Sequence, residues 1–147
     1  MAEENAIIQM KLLSIGEVRF MMSPEMIKDN TDQEAIQIGF SNKVEPNLAE
    51  GQISIVFGVR YLFGDDIILE STYRFSFAVM DIDHFVTINK DGSVTIMHLM
   101  PHFLSVAVGT MRGILVVKTA GTSLSQYPLP LIDVNQLNTR LSIPTQK

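Results

Sequence analysis

The 147-residue chain has no cysteine and no tryptophan. Without cysteine it can hold no disulfide, no thiol nucleophile and no thiolate metal site, which is compatible with the cytosol. Charge is sparse at 18% of residues, and the formal net charge of −5 argues against general nucleic-acid binding, which needs a basic face. An export signal is not expected, because Met1-Ala2-Glu3-Glu4-Asn5 is acidic where such a signal is basic. Nor is there an internal repeat, a low-complexity run or a linker, so residues 1–147 read as one domain. No Gly-rich phosphate loop, nucleophile elbow or paired-carboxylate cleft stands out, and nothing recommends an enzyme.

Metal chemistry is equally thin. His84, His98 and His102 are the only histidines, and Pro101 sets a helix start near Met100, so His98 and His102 do not share regular turns. Asp91-Gly92 faintly resembles part of a calcium loop. Aligned on Gly92, that loop would begin at Thr87 and end at His98, without the acids that ligate at both ends. We expect no metal and no cofactor.

What the chain does have is hydrophobic pattern. Ala6–Met22 alternates with period two, with Ile8, Met10, Leu12, Val18, Phe20 and Met22 on one face and Gln9, Lys11, Glu17 and Arg19 on the other. Gly16 suggests a bulge in this strand. A second strand is expected over 35–41, a loop over 45–51, a third strand over 52–63 and a fourth over 67–80. Each carries one apolar and one polar face, which specifies an antiparallel sheet with one wet side. Asp91-Gly92 sets a small hairpin between 86–88 and 94–96. A long helix then runs from Pro101 to a stop at Gly121, followed by an extended Tyr127-Pro128-Leu129-Pro130 stretch. Asp133 or Asn135 caps a short last helix that ends near Leu141. The fold class is α+β: a four-stranded antiparallel sheet with one long helix and a short C-terminal helix packed on one face.

The long helix is the unusual element. Polar or small residues at His98, His102, Ser105, Gly109 and Arg112 form a narrow stripe on an otherwise apolar body, the inverse of an ordinary surface helix. One small sheet cannot cover such a helix, so self-association is expected. Ser105, Gly109 and Gly113 lie four apart, a spacing that lets another backbone approach closely, and with Arg112 they form the expected oligomer interface. A membrane span is not expected, because His102, Arg112 and the glycines interrupt it.

The segments ISIVFGVRYLFGDDIILESTYRFSFAV from Ile53, SVAVGTMRGIL from Ser105 and YPLPLIDVNQL from Tyr127, in this order, resemble the SecB family of export chaperones. The resemblance implies a cytoplasmic dimer of dimers, its long helices held between two eight-stranded sheets. It also implies ATP-independent holding of unfolded or partly folded polypeptides in an apolar groove, for protein export. The matching groove residues are Tyr127, Leu129, Leu131, Ile132, Leu137 and Leu141. An alternative is that these residues seal the core, and the chain is a structural or adaptor oligomer for one dedicated partner, as in toxin–antitoxin-associated relatives. Docking of that family to the SecA motor uses acids on the outer sheet face. Here Glu17 matches, but Met21 and Ser71 stand where other acids are expected and Glu70 is displaced, which argues against motor docking.

Overall fold

The computed structural model describes residues 8–27 and 35–142. Its main sheet has four antiparallel strands in the order β1-β4-β3-β2, with β1 Met10–Met22, β2 Ile36–Asn47, β3 Gln52–Phe63 and β4 Asp66–Val79. β5 Val86–Ile88 and β6 Val94–Ile96 form a separate hairpin. Helix α1 spans Met100–Thr119 and α2 spans Val134–Ser142. The fold class and element order agree with the expectation from the sequence.

Alternation is what makes the sheet two-sided. Ile53, Ile55, Phe57, Val59 and Tyr61 of β3 and Leu69, Phe75, Phe77 and Val79 of β4 are buried on its inner face. Across from them α1 buries Phe103, Leu104, Ala107, Val108, Met111 and Leu115, and the Phe77 and Phe103 rings stack at 4.4 Å. Ser71 also faces inward and donates to Met111 Sδ at 3.1 Å. Helix α1 is long and apolar enough to cross a membrane by length and composition, yet in this fold its buried face lies on the sheet.

Several expectations are corrected. β1 bends at two register shifts, Leu12/Ser14 and Glu17/Arg19, rather than at Gly16, which pairs with Arg74. Each extra residue reverses the alternation that follows it. Glu17 therefore turns to the inner face, where it accepts from Tyr73 Oη at 2.8 Å and Lys118 Nζ at 3.0 Å. Those two bonds, the lysine first, hold its carboxyl below the usual range. Val18 is displaced from the apolar face and exposed. β2 continues through the expected loop to Asn47. Pro46 is tolerated there because β2 is an edge strand among the described residues, where a missing N–H can face away from β3. In the hairpin only Gly92 takes positive φ, while the Asp91 carboxylate accepts from Ser93 N and Oγ.

Asp133 is the α2 cap: its Oδ1 accepts from the backbone N–H of Asn135 at 2.9 Å and Gln136 at 3.3 Å. His98 adopts φ 69° and redirects the chain into α1, outside the helix. Among the described residues no group of three His, Asp or Glu side chains could hold a metal. The acidic start at 1–5 and the terminal stretch 144–147 lie outside the described residues.

Candidate functional site

Between α1 and α2 the chain runs through a short helical turn, Ser123–Gln126, and then extended through the prolines to Asp133. This crossover lies over the inner side of β2 and is tied down by two distant groups. Tyr61 Oη donates to the Tyr127 carbonyl at 2.6 Å. Arg112 of α1 donates from Nε to the Leu129 carbonyl at 3.2 Å and from Nη2 to the Pro130 carbonyl at 2.9 Å. Prolines leave the local backbone short of donors, so carbonyls of this stretch need partners from elsewhere. Burial pushes the Tyr61 phenol up to about 12.

These anchors divide the expected groove residues. Tyr127, Leu129 and Leu137 are buried in the core. Leu131 is 92% exposed, and Ile132 and Leu141 are half-buried. The groove is a chain of three hollows along β2. One of about 370 Å³ lies between Ile36, Ile38, Tyr127, Pro128 and Pro130. The next, about 440 Å³, shares Ile38 and continues past Phe40 to Leu131, Ile132, Leu137 and Leu141. The last, about 360 Å³, shares Leu141 and ends at Asn42, Val44, His98 and Asn138. Tyr127 and Leu137 thus show only a margin to the groove.

The β2 wall was not among the expected site residues. Ile38, Phe40 and Val44 carry an ordinary strand signal, and what makes them a wall is that β2 is an edge, which depends on the strand order. Among the described strands β2 pairs with β3 alone, so its other side presents unpaired backbone to the groove. At the polar end, Asn42 Oδ1 is buried without a hydrogen-bond partner among the described residues.

The expected oligomer residues also divide. Ser105, Gly109 and Gly113 lie exposed on the side of α1 away from the sheet, next to exposed Val116 and Val117. A Cβ on either glycine would meet nothing within 4 Å among the described residues. Arg112 stands apart from them, its guanidinium engaged with the crossover.

No family model matches the chain, and no curated protein matches it. Among solved structures it is similar to a SecB-like chaperone from Mycobacterium tuberculosis, in complex with a ChAD peptide from the HigA1 antitoxin. That match has 8% identity and a TM-score of 0.48, covering 84% of this chain and 88% of the other. A protein of unknown function from Streptococcus agalactiae matches at 9% identity and a TM-score of 0.39, covering 87% and 99%.

Proposed function

We propose that this chain is an ATP-independent holding chaperone that takes non-native polypeptide segments, in extended form, into the groove along β2. The observation that carries the reading is the pairing of an unpaired strand edge with an apolar lip. An extended segment would hydrogen-bond the free edge of β2 and set alternate side chains against Ile38, Phe40, Leu131, Ile132 and Leu141. Main-chain bonds and apolar area make little demand on sequence, as binding to many clients requires. Twelve residues of β2 offer about 40 Å of edge.

The working form in this proposal is a cytoplasmic homo-oligomer, a dimer of dimers closed through the exposed Ser105-Gly109-Gly113 side of α1. A second reading, an adaptor for one dedicated partner, draws support from the outer sheet face. Glu70 is held there by Arg19 at 3.0 Å and Arg60 at 2.8 Å, and Ser71 points into the core. Neither presents the free acid expected for docking to an export motor. A small enzyme ranks third.

The test is dilution of a chemically unfolded, unrelated protein with and without near-stoichiometric amounts of this one, in the absence of nucleotide. Suppressed aggregation of several clients supports the holding reading. No suppression by a folded, oligomeric sample sinks it in favour of the dedicated-partner reading.

A further inference from the structure

The outer face of the sheet is charged unlike the rest of the chain. Cross-strand register lays it out in rows running β1, β4, β3, β2. Lys11, Ala78, Gln52 and Asn47 form the first row, and Ser14, Ser76, Ser54 and Glu45 the second. Gly16, Arg74, Val56 and Lys43 follow, then Arg19, Thr72, Gly58 and Ser41, then Met21, Glu70, Arg60 and Gly39. Five cations therefore stand on this face against two acids, in a chain of 11 Lys and Arg and 16 Asp and Glu.

The two acids do not cancel the field. Glu70 is only 11% exposed between Arg19 and Arg60, whose own side chains are 67% and 57% exposed and keep donors in solvent. Glu45 is taken by Arg74 at 2.9 and 3.3 Å. Among the described residues no salt bridge engages Lys11 or Lys43. Other described acids border the sheet at its ends, Asp65 in the β3–β4 turn, Asp66 at the start of β4 and Glu50 before β3.

Between the cations the floor is low and polar. Ser54 and Ser76 share a hydrogen bond at 2.8 Å. At Gly58 a Cβ would lie 2.6 Å from Ser41 Oγ and 3.1 Å from Thr72 Oγ1, so a side chain there would have to push the Ser41 hydroxyl aside. Guanidinium forks and lysines around a floor of hydroxyls can receive carboxylates along an extended chain. The rows hold no aromatic ring on which a nucleobase could stack, and a chain of net charge −5 repels a long polyanion at distance. The chemistry therefore favours a short acidic peptide over nucleic acid.

We propose that this face docks an acidic polypeptide segment of a partner protein, at a surface separate from the groove and independent of what the groove binds. The probe is a fluorescein-labelled synthetic peptide of alternating aspartate and serine, followed by anisotropy against the intact protein. We expect saturable binding at low ionic strength that weakens at least about tenfold as salt rises to about 0.5 M. The double variant Lys11→Gln/Lys43→Gln, which breaks no salt bridge among the described residues and sets no new acid beside Glu45, should weaken it several-fold while its melting midpoint changes little. Arg60→Gln should weaken it less, and Leu131→Asp in the groove should leave it unchanged. The proposal is overturned by no saturable binding, by equal binding to the folded double variant, or by tighter binding of a thymidine oligonucleotide of the same charge. Loss of aggregation suppression in the groove variant, with peptide binding intact, would separate this surface from the holding function.

Discussion

Tyr127, Leu129 and Leu137 are 7%, 3% and 4% exposed, whereas Leu131 is 92% exposed and Ile132 and Leu141 lie between. All six sit on the crossover and the last helix, and all are apolar or aromatic. On the crossover their difference is made by anchors far away in the chain. Tyr61 and Arg112 hold the carbonyls of 127, 129 and 130, which keeps Tyr127 and Leu129 toward the core while Pro130 and Leu131 are exposed, and Leu137 is buried separately, on α2. Half of this stretch stabilises the fold, and the other half is apolar surface that folding has left unused. The same sheet shows a parallel contrast, with an apolar inner face under α1 and a cationic outer face in solvent.

The contrast within the crossover can be broken most severely from its buried half. Leu129→Ala or Leu137→Ala removes a core side chain and should cost about 2–4 kcal/mol, read as a lower urea midpoint. Tyr61→Phe deletes one bond to the crossover and should cost about 1 kcal/mol. The same phenol sets an alkaline limit. Its folded pKa is raised from the ordinary 10 to about 12, so its contribution is complete below about pH 10 and fades as pH climbs toward 12. Tyr61→Phe should flatten that slope, leaving the part due to Tyr73, also pushed up to about 12 by burial and by its bond to Glu17.

Gly109→Leu acts on the open side of α1. It should leave the fold intact, since the Cβ meets nothing there and leucine favours helix by up to about 1 kcal/mol. The proposed assembly should lose subunits, as measured by light scattering, and an unchanged mass would remove Gly109 from the interface. Leu131→Asp is the smallest in stability, within about 0.5 kcal/mol. It should nonetheless abolish most aggregation suppression, because it puts a charge on the groove lip.

The sheet was legible because its strands alternate cleanly. Ile53 to Tyr61 and Leu69 to Val79 declare their inner faces without help from the rest of the chain. β1 was less so: two bulges are invisible in a period-two pattern, and they sent Glu17 inward and Val18 outward. The resemblance placed the groove between the sheet, the crossover and the last helix, but its residues were legible only on the crossover and last-helix side. That β2 forms the other wall follows from strand order, and that Arg112 belongs to the crossover follows from the fold of a loop 17 residues away. Net charge said least about where charges sit. A total of −5 conceals a sheet face on which cations outnumber acids, because register, not composition, decides where charges gather.

The central claim, that non-native chains bind along the free edge of β2, is tested most directly by hydrogen–deuterium exchange of the β2 amides. The protein would be compared alone and with a permanently unfolded client. Slowed exchange across Ile36–Val44 and the crossover, with β1 unchanged, is the predicted result. Unchanged exchange along β2 in a sample that demonstrably holds the client would contradict the account and place the binding surface elsewhere.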